Sequence, residues 1–399
     1  MGRPCLRYLR KSSEATPERR FMKPSGQNEA RDPADISVRV CATRPGQKGG
    51  GLTSVMPAFI TALETSGFHV EYAEIHHAHT LGGRFMPFAR ELVKMDAEIT
   101  RIRAEGRVPV VYCHAGQGLS LVRHVALMAR ARRAGALTVL QAHSITLARY
   151  LDSARTRQLV IRVLGLADVV CVSTEYMRRY LETRGVRGVR TVSIPNISTI
   201  AEECSRPFRT PRLPNDVLVM TRLVPEKRVD LAIEAFERAN LAGSLHIAGD
   251  GPAREQILKR IRDSSLQSRI IYHGWVSGET KKALLEDCGC FLLPSRFDSF
   301  GVGFVEAMSH GRPVVALDFM ATSEVVLHGQ TGLLVCDDAD VVNGLAAALC
   351  QLQESDLRAK LGRAAKVHVA ESFSVQRVGD QFRLAIEHGL NTRSRNLAP

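Results

Sequence analysis

Aromatic residues make up only 6% of this 399-residue chain, and there is one tryptophan. No apolar run reaches the roughly 18 uninterrupted residues a spanning helix needs, which excludes a transmembrane helix. Residues 1–35 lack the apolar core of a secretory signal. They are polar, charged and rich in Pro and Ser, and predict a disordered leader. The nine cysteines are scattered without a C-x-x-C pair, several on or beside apolar runs. Buried, reduced thiols and a cytoplasmic compartment are therefore expected. Internal repeats and low-complexity arrays are also missing.

Acidic residues are in deficit: 41 Asp and Glu against 54 Lys and Arg leave a net charge of +13. The excess is uneven. Between Ser120 and Arg190 thirteen arginines face four acids, Asp152, Asp168, Glu175 and Glu182, a local charge of +9. Such a stretch is either a solvated basic face or a surface for anionic lipid head groups or a phosphorylated acceptor. No recognition motif or interleaved aromatic stripe accompanies it, so nucleic acid is not an expected partner.

What is present is an alternation of short apolar runs with amphipathic segments, the pattern of parallel sheets covered by helices. Strands are predicted at Ile36–Ala42, Val70–Ile75, Val108–Cys113, Leu137–Ala142, Asp168–Ser173 and Arg190–Ile194. A second series is predicted at Val217–Met220, Leu245–Ala248, Ile270–His273, Cys290–Leu293 and Val314–Leu317. Helices are predicted over Leu52–Thr65 and Phe85–Glu105, among others. The organisation expected is a leader (1–35), a first Rossmann-like domain (36–196), a linker (197–214) and a second such domain (215–372). A C-terminal helix and tail (373–399) would pack back on the first domain.

The most informative stretch runs from Phe291 to Val335. Pro294 and Ser295 end a buried strand, and Asp298 and Glu306 then stand eight positions apart. Between them Phe300-Gly301-Val302-Gly303 predicts a turn opening onto a helix that carries Glu306, Ala307 and Met308. Gly311-Arg312-Pro313 ends that helix before the next strand. Backbone N–H groups at such a helix start suit a phosphate, and two flanking carboxylates suit the hydroxyls of a sugar or ribose. Arg222 and Lys227, just after the first strand of the second half, offer a forked guanidinium and a compact ammonium to a diphosphate. Gly49-Gly50-Gly51, between the first strand and helix, lets backbone approach a bound group or serves as a plain tight turn.

The register Pro294, Ser295, Asp298, Phe300, Gly301, Glu306, Ala307, Met308, Gly311, Pro313, Val314 and Val315 resembles the donor signature of retaining GT-B glycosyltransferases of family 4 (glycosyl transferases group 1). Glu324, Val325, Val326, Gly329, Thr331, Gly332 and Leu333 to Val335 continue the likeness. Arg222 and Lys227 match the family's G-R-L-x-x-x-K pattern, with Thr221 in place of its Gly, and Gly249-Asp250-Gly251-Pro252 resembles its G-D-G-P turn. The likeness covers nearly all of the chain after Ile36, weakly at first and strongly in the second half.

The resemblance implies an α/β fold of two Rossmann-like domains facing a cleft. It implies transfer of a hexosyl group, with retention, from a UDP- or GDP-sugar to an acceptor hydroxyl in polysaccharide or glycolipid synthesis. His143, Asp298, Arg222 and Lys227 would be catalytic; Gly50, Gly51, Gly249, Phe300, Gly301, Val302, Gly303 and Glu306 would line the donor. No metal and no cofactor beyond the nucleotide-sugar co-substrate are expected. The partner implied is a lipid-linked or saccharide acceptor, and the arginine excess between Ser120 and Arg190 adds the expectation of an anionic membrane surface at the inner face of a membrane. A sugar-nucleotide epimerase of similar fold and a non-catalytic nucleotide-sugar or membrane-binding protein are the alternatives.

The remaining histidines are sorted by setting. His114 is a weaker cleft candidate than His143. His76, His77 and His79 lack a Cys or carboxylate framework and suggest a loop rather than a metal site. His310 is expected on a helix surface. Two departures from the family pattern stand out. Asp298 is one methylene shorter than the usual Glu, and Met320-Ala321 replaces the Gly-Gly that often precedes the position of Glu324.

Overall fold

Strands and helices alternate through the chain in the order the apolar runs predict. The computed structural model describes residues 31–43, 51–76, 81–116, 118–143, 146–197 and 201–397. The strands and helices all belong to the single unit Asp32–Pro399. Residues 1–30 of the leader and Gly50 lie outside the described residues, while Pro33–Asp35, expected within the disordered leader, form a short 3-10 turn capped by Asp32 ahead of β1. The first half contains β1 (Ile36–Thr43), α1 (Gly51–Thr65), β2 (His69–His76), α2 (Leu81–Ala104), β3 (Val108–Ala115) and α3 (Leu119–Arg133). It continues with β4 (Leu137–Ala142), α4 (Thr146–Asp152), α5 (Ala154–Leu164), β5 (Val169–Val172), α6 (Glu175–Thr183) and β6 (Arg190–Ser193).

After α7 (Ala201–Ser205) the second half contains β7 (Leu213–Met220), α8 (Val229–Ala239), β8 (Leu245–Ala248), α9 (Arg254–Arg262), β9 (Ile270–Gly274) and α10 (Gly278–Asp287). Then come β10 (Cys288–Leu293), α11 (Val302–Ser309), β11 (Val314–Leu317), α12 (Thr322–Val325) and β12 (Gly332–Val335). Three helices close the chain: α13 (Val341–Gln351), α14 (Ser355–Ser372) and α15 (Val375–Leu397).

Each half is a six-stranded sheet, ordered β2-β1-β3-β4-β5-β6 and β12-β11-β10-β7-β8-β9. Every pairing is parallel. Strands covered on both faces read as unbroken apolar runs, and β5, β8, β10 and β11 are buried at every residue. Two differences from the expected elements matter. β7 starts at Leu213, four residues early, because its first residue pairs with Cys288 of β10. β12 is a strand beyond those expected: four residues beginning with Gly carry little signal, and pairing with β11 makes it one.

The last helix belongs structurally to the first half. Val378, Phe382, Ala385 and Ile386 form a stripe on α15 that enters the core of the first sheet. Phe382 stacks edge-on against Phe59 at 5.5 Å and Tyr112 at 5.4 Å.

Candidate functional site

In the second sheet the chain moves from β7 outward through β8 and β9, then returns to build β10, β11 and β12 on the other side. The switch point therefore lies between β7 and β10, and open α/β sheets take ligands beyond the carboxyl ends of the strands at such a point. Arg222 and Lys227 come after β7, and Asp298 comes after β10. The Lys227 ammonium forms an ion pair with Oδ1 of Asp298. These side chains are 17% and 14% exposed, so the pair is largely withdrawn from solvent. The second oxygen, Oδ2, is buried and has no hydrogen-bond partner. Arg222 is exposed, and its side chain makes no ion pair or hydrogen bond among the described residues. The switch point thus carries a mutually neutralised pair, an unsatisfied carboxylate oxygen and a free guanidinium.

Next to this pair stands the start of α11. Gly301 precedes it at φ 83, a left-handed backbone conformation, and a Cβ there would sit 2.3 Å from Cδ2 of Phe304. No side chain caps the helix, which leaves its first N–H groups open to a ligand. Gly303 packs beneath the helix against Phe291. Val302 packs against hydrophobic clusters of both halves, so this helix start lies where the halves meet. Phe300 is different: its ring is buried in the core, edge-on to Phe373 at 5.2 Å, so only its backbone is available to a donor.

Glu306 lies one turn into α11 and is held by Lys281 of α10 at 2.7 Å. Lys281 carries no signal in the sequence, because nothing near it forms a motif. Gly249 has φ 145, and a Cβ would come 1.8 Å from the carbonyl oxygen of Thr221. Its N–H donates to Gly274 O at 2.6 Å, and its carbonyl accepts from the Tyr272 hydroxyl at 2.9 Å. Gly249 therefore shapes the loop that carries Arg222, with its N–H already engaged.

In the first half His143 comes after β4, and its Nε2 meets Nδ1 of His114 at 2.8 Å. The two rings stack at 5.0 Å, with Phe59 edge-on to both. Burial pushes the His143 imidazole down to about 3, while the Asn196 side chain opposes the shift. His114 is fully buried, is held well below the usual histidine range by burial, and its Nε2 has no partner. The two candidate histidines are thus one neutral pair. Gly51 is the first residue of α1; His76 ends β2, while His77 and His79 lie outside the described residues.

His310 corrects the expectation of a helix-surface position. Its side chain is 8% exposed and turned toward Glu203 and Glu286. The residue caps α11 where α14 packs against that helix and the side chains of Glu203 on α7 and Glu286 on α10 reach it, contacts that its place in the motif did not disclose.

Three contacts join the halves around the site. The Arg149 guanidinium of α4 lies 5.0 Å over the Phe297 ring, beside Asp298, and 3.8 Å from Glu226, beside Lys227. The Glu324 carboxylate of α12 accepts from the N–H groups of Glu175 at 2.7 Å and Tyr176 at 2.5 Å, at the start of α6. Burial raises the Glu324 carboxyl above its ordinary range, and the two N–H bonds oppose that shift. Val302 makes the third contact. Met320, where the resembled pattern often has Gly, takes the left-handed conformation at φ 53.

Two family models match the chain. "Glycosyl transferase 4-like domain" covers residues 15–197, and "Glycosyl transferases group 1" covers residues 214–355. The chain belongs to the group 1, family 4 glycosyltransferases. Among curated relatives it is 29% identical over 199 residues to the poly(ribitol-phosphate) alpha-N-acetylglucosaminyltransferase of Staphylococcus aureus, covering 47% of this chain and 39% of that protein. It is 31% identical over 174 residues to the alpha-D-kanosaminyltransferase of Streptomyces kanamyceticus, covering 42% of this chain and 44% of that one. These matches thus span less than half the length of either relative.

Solved structures share the fold. Sucrose-phosphate synthase from Thermosynechococcus elongatus has a TM-score of 0.72 at 18% identity, covering 90% of this chain and 100% of that one. HepE of Anabaena, solved with UDP and glucose, has a TM-score of 0.66 at 19% identity, covering 88% and 100%. A TarM variant of S. aureus, solved with fondaparinux, alpha-GlcNAc-glycerol and UDP, has a TM-score of 0.59 at 22% identity, covering 73% and 58%. Among the described residues of this chain no helix is long and apolar enough to cross a membrane.

Proposed function

We propose that this glycosyltransferase moves a hexosyl group from a UDP- or GDP-sugar to an acceptor hydroxyl with retention of anomeric configuration. The observation that carries the reading is the Lys227–Asp298 pair at the switch point, beside the uncapped start of α11 and the free Arg222. A diphosphate placed there meets two cations and open N–H groups. All of them stabilise charge that grows as the bond to the sugar breaks, which is where electrostatic catalysis gains most. Cations and a helix start do the work of a divalent ion, so the reaction needs no metal. The departing phosphate takes up the acceptor proton as the acceptor oxygen attacks the same face.

Asp298 holds sugar hydroxyls through its unpartnered Oδ2, and Glu306 holds the ribose. His143 acts as a neutral hydrogen-bonding group. With Nε2 given to His114, its Nδ1 serves Asn196 or a substrate hydroxyl. The relatives that act on polymers and the solved neighbours that bind UDP support a saccharide or lipid-linked acceptor in polysaccharide or glycolipid synthesis.

A cytoplasmic protein held at an anionic membrane surface is part of the same reading, but not chiefly through the arginine excess. Arg130, Arg132, Arg149, Arg178, Arg179 and Arg184 sit in ion pairs, and Arg123 is buried. The better support is the exposure of Phe85, Met86 and Val93 on α2 and of Leu119 and Val122 on α3. Vesicles should sediment the protein through this apolar face, with anionic ones binding more at low salt through the remaining arginines; absence of sedimentation with either kind refutes that part.

The activity is tested by a thermal-shift screen of UDP-, GDP- and ADP-sugars, with transfer assays run afterwards in the presence and absence of acceptor. One donor should raise the midpoint by mass action. Glu306→Ala should then weaken that donor by about 1.5–3 kcal/mol without unfolding the protein. Conversion of the donor without any acceptor, or near-parent transfer by Glu306→Ala, refutes the assignment.

A further inference from the structure

The C-terminal end of α11 faces away from the candidate site. An eight-residue helix is about 12 Å long, so His310 stands roughly that far from the Gly301 turn. Its imidazole is only 8% exposed, and its side chain makes no hydrogen bond among the described residues. Nδ1 points into a gap between Glu203 Oε2, at 3.9 Å, and Glu286 Oε1, at 4.0 Å. Both spans are too long for hydrogen bonds. The three ligand atoms lie within 4.8 Å of one another.

The charges around the gap do not close it. Lys282 and Arg206 both approach the other oxygen of Glu203, each at 3.3 Å, and leave Oε2 facing the histidine. Lys366 gives its ammonium to the backbone carbonyls of Glu203 and Ser309. Arg312 donates to the carbonyls of His310, Cys288 and Arg209. Glu286, only 26% exposed, has no Lys or Arg within ion-pair distance among the described residues. A carboxylate without a cation, a second whose cations sit on its far oxygen, and a buried imidazole without a hydrogen bond of its own converge on one point from three elements.

We propose that Glu203, Glu286 and His310 bind one divalent transition-metal ion that ties α7, the segment between the two sheets, to α10 and α11. One nitrogen and two carboxylate oxygens suit Zn²⁺, Mn²⁺ or Co²⁺, with water completing the coordination. Ligand bonds of about 2.0–2.2 Å require each side chain to close inward by a few tenths of an ångström, a rotamer adjustment. The ion stabilises the protein and stands apart from transfer, so its failure leaves the proposed activity untouched.

The test uses the full chain, stripped with chelator, dialysed and titrated with Co²⁺ while its visible d–d bands are monitored. Matched samples of His310→Ala and Glu286→Gln are titrated in parallel, with circular dichroism as the folding control. The parent should take up one equivalent of Co²⁺, displaceable by Zn²⁺, and its unfolding midpoint should rise. Each variant should bind about tenfold more weakly or worse, since even outer-shell partners are worth that much. The Glu286 side chain makes no hydrogen bond among the described residues, so Glu286→Gln keeps the test decisive if His310→Ala fails to fold. Absence of stoichiometric Co²⁺ binding, or equal binding by a folded variant, overturns the proposal.

Discussion

Asp298→Asn separates the two halves of the donor. In the parent, Lys227 is paired with Asp298, so a diphosphate arriving at Lys227 meets a cation already neutralised. Asparagine keeps the shape and removes the charge. A unit charge acting over about 6 Å at an effective dielectric near 20 is worth ~3 kcal/mol, and solvent and salt in an open site lower this to about 1–2 kcal/mol. A nucleoside diphosphate without sugar should therefore bind roughly 5- to 30-fold more tightly to the variant. The matching nucleotide-sugar loses its hydrogen bonds to a charged oxygen, worth about 1.5–3 kcal/mol, so its advantage over the bare diphosphate should fall roughly 10- to 150-fold.

Stability moves the other way, because the Lys227 ammonium is left largely buried without its partner. Removing one partner of a fully buried pair costs roughly 3–5 kcal/mol, and the residual exposure here brings that to about 1–3 kcal/mol. Isothermal titration with both ligands, on protein shown folded by circular dichroism, reads the split. Equal weakening of the two ligands, or weaker binding of the bare diphosphate, refutes both the sugar role of Asp298 and the diphosphate role of Lys227.

Transfer should survive chelation, because Arg222, Lys227 and the α11 N–H groups carry the leaving-group charge; complete loss in EDTA that manganese or magnesium restores contradicts this. Met320→Gly relieves a left-handed side chain worth roughly 1–2 kcal/mol, against roughly 0.5–1 kcal/mol for the looser unfolded chain, so urea unfolding should show a gain of about 0.5–1 kcal/mol. A loss of that size would show that the Met320 side chain does more by packing than its backbone costs. Burial holds His143 at about 3 and His124 at about 4, both below the ordinary 6.5. The unfolded chain then takes up protons first as pH falls, so stability declines from about pH 6.5 down toward the folded values, by about 1.4 kcal/mol per pH unit and imidazole. Urea midpoints that do not change between about pH 7 and about pH 5 would refute this reading of His143 and of His124, a separate buried histidine on α3.

Most of the strands were legible because a parallel strand covered on both faces must be apolar throughout, and runs such as Val314–Leu317 have no other soluble use. The Gly301 turn, the helix behind it and the positions of Arg222 and Lys227 were legible for a related reason: local geometry demands particular residues within a few positions of one another. Contacts between distant segments were not. Lys227 and Asp298 are 71 residues apart, and their pairing results from strand order, which places β7 beside β10. His114 and His143 lie 29 residues apart on neighbouring strands, and Glu324 reaches 149 residues back to cap α6. The burial of His310 and Phe300 belongs to the same class, whereas the packing of α15 on the first half was expected and only its partners, Phe59 and Tyr112, were not. Periodicity along a chain tells which face of an element is buried. Which other element covers that face is decided only when the sheets are assembled, because the covering segment leaves no mark on the local pattern.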